Sequence, residues 1–527
     1  MEWDAWGVAE FRKQLSPQVL ALLGAALGVS GEQSPPPEES AAVLRPTNLT
    51  EGHRSGLGDL IGAEHLRTDD ATRLRHAGGK STPDLLRRKD AEPQDAPDAV
   101  LRPGSHDEVV ALLQYCAAEA IAAVPFGGGT SVVGGVDPAR GEFAEVIALD
   151  LRRLDALLDL DTTSGIATLQ AGVTGPQAEQ LLGSHGFSLG HFPQSFQFAT
   201  IGGFAATRSS GQASAGYGRF DDMVQKIRVA TPAGSLDLGR APASAAGPDL
   251  RELFVGSEGA FGIITEVAVR VHPIPETTAY QAWSFPDFET GAAALRTVIQ
   301  TGATPTVMRL SDEAETGLNL ALAGDIGGES PAAAGCLAIT TFEGSAAHVE
   351  SRHAEASALL AAAGGTDLGQ QPARSWEHGR FDAPYMRDAL LNAGAIVETL
   401  ETATTWSNLS NLRSAVTAAL TESLTAQGTP AMVMCHISHT YPTGASLYFT
   451  VVCAQTADPL TQWAAAKKAA GDAIVSVGAT ITHHHAVGRD HRPWMTDEIG
   501  ELGGRVLQAV KDAVDPTGIL NPGKLIP

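Results

Sequence analysis

The sequence predicts an α+β fold of two domains sharing an interface, preceded by a helical N-terminal extension. Three observations predict it. Short apolar strands alternate with helices from Ser105 to about Pro273, a second mixture of strands and Ala-rich helices runs from Ile274 to about Val487, and four glycine-rich loops are confined to the first stretch. The 527 residues suffice for two large domains, each with a full core. With 43% apolar and 18% charged residues, the composition is that of a globular protein.

In chain order, Ser16-Pro17 followed by Val19, Leu20, Leu22, Leu23 and Leu27 reads as a helix with Ser at its N-cap and Pro in its first turn. From Ser30 to Leu60 the Pro, Ser and Glu content, including Pro35-Pro36-Pro37, reads as an irregular connector. The extension is bounded at 1–93. In the first domain, 94–273, Val109 to Ala120 and Gly175 to His185 read as helices. Ala122 to Pro125, Val146 to Leu149, Ile166 to Gln170, Val224 to Thr231, Ser235 to Leu238 and Gly262 to Val271 read as strands. In the second, 274–500, Leu337 to Phe342, Ser446 to Val452 and Ala479 to Thr482 read as strands, and His348 to Ala362 and Leu409 to Ala426 as helices. Residues 501–527 form a C-terminal segment.

The charge balance excludes some functions. With 36 Lys+Arg against 60 Asp+Glu the net charge is 36 − 60 = −24, so neither nucleic acid nor an anionic membrane is gripped by bulk charge. An anionic substrate must be caught by a few local cations or backbone N–H groups. Cys116, Cys336, Cys435 and Cys453 lie far apart in apolar surroundings and read as buried thiols, not a zinc site. The N-terminus has no basic n-region, and the apolar stretch Val19 to Val29 is too short to span a bilayer, so a soluble cytoplasmic protein is expected.

The glycine loops carry the chemistry. Pro125-Phe126-Gly127-Gly128-Gly129-Thr130-Ser131 follows a short apolar strand. Three glycines without Cβ let backbone N–H groups approach a diphosphate, and Thr130 and Ser131 add hydroxyls. Neither GxGxxG between strand and helix nor GxxxxGK[ST] is present, so the scheme is not that of a dinucleotide fold or a P-loop. Thr200-Ile201-Gly202-Gly203, Thr207-Arg208-Ser209-Ser210-Gly211 and Gly256-Ser257-Glu258-Gly259-Ala260-Phe261-Gly262 follow.

This order of motifs resembles the FAD-binding domain of the vanillyl-alcohol oxidase and p-cresol methylhydroxylase flavoprotein superfamily. The resemblance implies a two-subdomain FAD-binding domain over 94–273, with 501–527 packing back on it and 274–500 as a cap, or substrate, domain. It implies that Pro125 to Ser131 hold the diphosphate, that Gln194-Ser195-Phe196-Gln197-Phe198-Ala199-Thr200, Gly203 and Thr207 to Ser210 line the flavin and its linker, and that Gly256 to Gly262 close round the adenosine side. The diphosphate loop lacks a His where some relatives attach FAD, so noncovalent binding is expected.

The cap decides the substrate. Alternation along Ala445 to Val452 puts Leu447, Phe449 and Val451 on one face and Tyr448, Thr450 and Val452 on the other. His483-His484-His485 follows an apparent strand; if that strand continues, His483 and His485 share a face that His484 does not. The run admits a metal site or, with Arg489, Asp490, His491 and Arg492, a cationic pocket for phosphate or carboxylate. Arg309 and Arg387 stand in apolar sequence, with Asp312 and Asp388 as available partners, and each suits bidentate capture of a phosphate.

From Trp3-Asp4-Ala5-Trp6-Gly7 through Gly190-His191-Phe192-Pro193-Gln194-Ser195, Tyr441, Ala445-Ser446-Leu447-Tyr448-Phe449 and His483-His484-His485-Ala486-Val487-Gly488, the chain is similar to the alkyldihydroxyacetonephosphate synthase (alkylglycerone-phosphate synthase) family of flavoenzymes of ether-lipid synthesis. The resemblance implies exchange of the acyl chain of acyl-dihydroxyacetone phosphate for a fatty alcohol, through a covalent adduct at flavin N5. It implies Tyr448 as proton donor and acceptor, its pKa lowered by neighbouring His and Arg cations. It implies Arg309 as an activity-critical cation, Arg387 as ligand of the substrate phosphate, His483, His484 and His485 as active-site histidines, and His191 near the flavin. No metal is expected. The partners it implies are small lipid substrates, with peripheral membrane contact and a homodimer left open. The alternative is an FAD-linked 2-hydroxyacid oxidase or dehydrogenase of the lactate or glycolate type. Relatives of that type carry a two-His-and-Glu metal pattern, which His439-Thr440-Tyr441-Pro442-Thr443-Gly444 and His483-His484 do not reproduce.

Overall fold

The computed structural model describes residues 1–89, 92–318 and 335–527. Its first domain is built on two sheets. Ala99–Leu101, Glu145–Asp150 and Ile121–Phe126 run parallel, in that order, and the short antiparallel strand Leu66–Arg67 adds to the edge. Parallel strands buried on both faces read as continuous apolar runs, and every residue of Glu145–Asp150 is buried. The second sheet is antiparallel, in the order Leu157–Asp161, Ile166–Gln170, Ile263–Arg270, Val224–Thr231, Gly234–Leu238.

The expected helices and strands of this domain are present, with ends moved by a few residues. The helix expected at Val109 to Ala120 spans His106–Glu119: Ser105 caps its N-terminus and Ala120 ends it in the left-handed conformation, at φ 53°. The stretch read as a connector to Leu60 contains the helix Glu51–Ile61, capped by Thr50. Its three glycines disfavour a helix in isolation, but Leu57 and Ile61 bury against the parallel sheet and override that propensity. The helix Pro17–Leu27 has the expected Ser16 cap, the hydroxyl accepting the Val19 N–H at 3.3 Å.

The second domain carries a seven-stranded antiparallel sheet in the order Thr366–Gly369, Thr277–Phe285, Cys336–Gly344, Val307–Ser311, Met432–Tyr441, Gly444–Ala454, Ala395–Thr405. Helices Phe288–Thr301, Ala346–Ala362, Leu409–Ala426 and Pro459–Ser476 cover one face. Leu447, Phe449 and Val451 point into that core, so alternation sends Tyr448 to the opposite face, toward the first domain. The expected strand Ala479 to Thr482 is not regular: a single bridge, Thr480 to Ala403, is its only ladder pairing with the sheet among the described residues. Among the described residues no helix is long and apolar enough to cross a membrane, and all four cysteines are buried and unpaired.

Candidate active site

Three of the glycine segments of the first domain meet. Phe126 ends a parallel strand, and the turn after it packs so closely on residues 198–200 that a Cβ on Gly128 would run into the Phe198 carbonyl and come within 2.9 Å of the Ala199 Cα. Gly129 takes φ +67°, open to glycine at little cost. A Cβ on Gly259, in the third segment, would strike Pro125. The Ser131 hydroxyl oxygen accepts the Gly135 N–H at 3.0 Å, which leaves its O–H to donate to a ligand. Thr200 caps the helix Ile201–Ala206 through the Gly203 N–H.

His191 is fully buried between Phe204 and Phe220, with Nε2 3.0 Å from the Ser209 hydroxyl. Burial, reinforced by His484, lowers its pKa to about 3, so the ring is neutral. Its Nδ1, the Gln194 Nε2 and the Ser210 and Ser257 hydroxyls are buried polar atoms without a hydrogen-bond partner among the described residues. Such atoms are costly in a finished core and fit the lining of a polar cofactor. Together with the Cβ-free cradle, this donor set fits FAD. Two of the residues expected at the flavin also have partners within the protein. The Arg208 guanidinium is taken up by Asp221 at 3.1 Å and Glu252 at 2.5 Å, and the Phe196 ring stacks on Phe381 of the cap.

Strand register builds the other wall. Glu401 pairs with Tyr448 and Tyr448 with His436, so one row across three strands carries a carboxylate, a phenol and an imidazole on the same face. Tyr448 stacks on His436, with ring centroids 4.9 Å apart and planes 20° apart, and on its other side lies parallel to His484 at 6.1 Å. His485 meets it edge-on at 5.6 Å.

The three histidines lie on a loop, not a strand, and a single buried carboxylate shapes that loop. Glu401 accepts the backbone N–H of His483 at 2.6 Å, His484 at 3.1 Å and His485 at 2.8 Å, and the Thr482 hydroxyl at 2.5 Å. Glu258, from the third glycine segment, holds the far end through the N–H groups of Val487 and Gly488, at 3.0 and 2.8 Å. All three rings therefore reach one site, contrary to the expectation that His484 would point away. His483 Nε2 lies 2.6 Å from the Tyr441 hydroxyl and its Nδ1 2.9 Å from His484 Nδ1, with His439 5.0 Å from His483 ring to ring. Nitrogens of His439, His483 and His484 come within 4.8 Å of one another, close enough for a metal, but His439 already engages the Gly211 carbonyl and Ser446, and His483 engages Tyr441.

Two electrostatic expectations are corrected. His483 and His485 are not the cations expected: burial holds His483, like His439, well below the usual range and puts His485 at about 3, so these three rings are neutral. Nor is the Tyr448 phenol lowered. Burial pushes it up to about 12, Glu398 and Glu401 add to the rise, and Thr399 and Arg387 oppose it. Glu401, by contrast, is held well below the usual carboxylate range by His484 first and then His485 and His483, despite burial.

The arginines are placed by ion pairs. Arg309 Nη2 donates to Glu315 at 2.7 Å and lies 3.1 Å from His436 Nδ1; its partner is Glu315, whereas Asp312 binds Arg413 and the Cys435 N–H. Arg387 is buried on the helix Ala383–Asn392, and Asp388 takes its Nε and Nη2 at 3.0 and 2.9 Å. Glu401, Glu315, His436, His439 and Tyr441 complete the site, and residue spacing alone does not single them out. The one signal was Glu401 at an inward position of Ala395–Thr405, a strand otherwise apolar or Thr on that face.

Comparison with known proteins agrees with this geometry. The FAD binding domain model matches residues 97–238, and the model for the C-terminal domain of FAD linked oxidases matches 274–525. The p-cresol methylhydroxylase structure with substrate bound superposes at a TM-score of 0.70, with 15% identity over 92% of this chain and 98% of that one, which shows the shared fold. Fold and cradle thus define an FAD-binding flavoprotein of the vanillyl-alcohol oxidase type. Within that class, the chain is 35% identical over 511 residues to the alkyldihydroxyacetonephosphate synthase of Trypanosoma brucei brucei, covering 93% of this chain and 83% of that protein. A solved alkyldihydroxyacetonephosphate synthase superposes at a TM-score of 0.85 with 30% identity, covering 100% of this chain and 99% of the other. The chain belongs to the alkyldihydroxyacetonephosphate synthase family.

Proposed function

We propose that this protein exchanges the acyl chain of acyl-dihydroxyacetone phosphate for a fatty alcohol, a redox-neutral transfer. The observation that carries the reading is the placement of Tyr448 between His436 and His484, under a histidine loop that both domains hold in shape. FAD, when bound, supplies an electrophilic ring nitrogen. The chain's own residues bind, orient and move protons. Arg387 takes the substrate phosphate, a dianion that the acidic protein must catch locally. Arg309 acts from beside His436, held by Glu315.

Tyr448 starts protonated, because burial holds its pKa at about 12. It gives its proton to the departing carboxylate oxygen as the C–O bond to the acyl chain breaks, and the phenolate left behind takes the proton of the alcohol hydroxyl as the new C–O bond forms at the same carbon, so bonds and protons both balance over the exchange. His484 and His436 flank the ring and fix its plane. Peripheral contact with a lipid surface and a homodimer belong to the same proposal; vesicle flotation and light scattering test them.

Tyr448→Phe tests the reading of the site. Loss of exchange by at least a hundredfold with FAD content unchanged is expected, since the phenol transfers protons and does not hold the cofactor. Full activity in the variant would remove Tyr448 from the mechanism.

A further inference from the structure

The segment Trp3–Gly7 reaches the active site from outside both domains, and no role in the exchange has yet been given to it. Both tryptophans are 4% exposed. The Trp6 ring meets Phe198, next to the diphosphate turn, edge-on at 5.9 Å. The Trp6 backbone N–H donates to Asp388 Oδ2 at 2.6 Å, and the other oxygen of that carboxylate receives Nε and Nη2 of Arg387. Arg387 Nη1 donates to the Lys80 carbonyl at 2.6 Å, and the Lys80 ammonium returns to the segment by donating to the Trp3 carbonyl at 3.1 Å and to that of Glu2. Arg88 donates to the same Trp3 carbonyl. Gly7, at φ +69°, lies so close to Tyr385, two residues before Arg387 on the same helix, that a Cβ there would enter the phenol ring.

Arg387 therefore has three of its five N–H groups fixed, two by a carboxylate that Trp6 orients and one by a carbonyl whose residue anchors Trp3, and 5 − 3 = 2 remain for a ligand. We propose that Trp3–Gly7 is a clasp that positions Arg387, through Asp388 and Lys80, for recognition of the substrate phosphate. The proposal rests on the reading of Arg387 as phosphate ligand. Residues of the clasp are positioning residues: they touch neither the phosphate nor the reacting carbon. A planar guanidinium rewards such a frame, because its bidentate geometry is lost when the fork swings by a fraction of its own width.

The test uses the FAD-loaded full chain and three variants, with acyl-dihydroxyacetone phosphate as substrate and inorganic phosphate as competitor. Gly7→Ala forces the segment off Tyr385, and Asp388→Asn keeps the shape while removing the charge between Trp6 and Arg387. Each is expected to raise KM about tenfold or more, and to weaken inhibition by phosphate in parallel, with kcat within about twofold and FAD content unchanged. A merely structural segment would lower kcat and FAD content together and leave KM in place. Arg387→Ala separates the two levels. If it leaves KM unmoved, the phosphate reading falls; if it raises KM while Asp388→Asn and Gly7→Ala do not, the clasp falls. Should Gly7→Ala fail to fold, the isosteric Asp388→Asn decides alone.

Discussion

The Glu401 carboxylate accepts the His483 backbone N–H at 2.6 Å, and from this contact the whole histidine loop takes its shape. Three successive amides and one hydroxyl converge on a group with 1% exposure, a buried charge fully met by donors. Glu401→Gln keeps the size but turns an amide N–H₂ toward those donors. It is expected to destabilise the protein by about 3 kcal/mol, the scale of lost hydrogen bonds to a buried charge, and to lower exchange at least tenfold. Urea denaturation and the exchange assay, run on the same preparation, check both effects; unchanged stability would show that other contacts hold the loop.

The phenol of Tyr448 is the second point of test. Burial pushes it up to about 12, so it should remain protonated throughout the physiological range. Ultraviolet difference titration of the wild type against Tyr448→Phe should show no phenolate signal from this residue below pH 10. A phenolate appearing near pH 8 would restore the expectation of a lowered pKa.

Stability should fall in acid. His191 and His485, at about 3, and His491, at about 4, titrate well below the usual histidine value in the folded protein. Above about pH 6.5 both folded and unfolded states hold these rings neutral. Below it the unfolded chain binds protons that the folded one refuses, so the contribution is lost as pH falls from about 6.5 toward the folded values, at up to roughly 1.4 kcal/mol per pH unit and per ring. Glu401, depressed in the fold, adds to the loss in acid. Glu258, raised to about 7 by burial, works in the opposite sense: its contribution is full below about 4.5 and declines as pH rises through 7. The urea midpoint should therefore drop between pH 7 and pH 5; an unchanged midpoint would mean that the buried rings carry protons in the fold.

Cofactor loading should depend on the absence of a single methyl group. Gly128→Ala places a Cβ against the Phe198 carbonyl and Ala199, where the chain cannot yield without moving the flavin-side segment. FAD content, read as the ratio of flavin to protein absorbance, should fall at least tenfold, with a loss of stability of about 1–3 kcal/mol from overpacking. Normal FAD content would move the diphosphate away from this turn.

Much of the fold was legible because its signals are local. The strands Ile166–Gln170 and Val224–Thr231 and the helix Leu409–Ala426 fall where the apolar period places them, and the Ser16 cap is visible in the sequence. The helix Glu51–Ile61 was not, because its glycines oppose a helix locally and only Leu57 and Ile61, buried in another element's core, reverse the balance. The site was legible where a side chain type announces its chemistry, as at Tyr448, Arg387 and the histidine run. Its electrostatics were not. Adjacent histidines suggest positive charge until the burial of His483 and His485 is known, and Glu401 lies more than eighty residues from the loop it shapes, joined to Tyr448 only by strand register.

The most direct test of the central claim follows labelled fatty alcohol and the flavin spectrum in one anaerobic experiment with acyl-dihydroxyacetone phosphate. A redox-neutral exchange predicts that label enters the alkyl product while the flavin ends oxidised. Bleaching of the flavin by D-lactate or another 2-hydroxy acid, with no label in the lipid product, would contradict it.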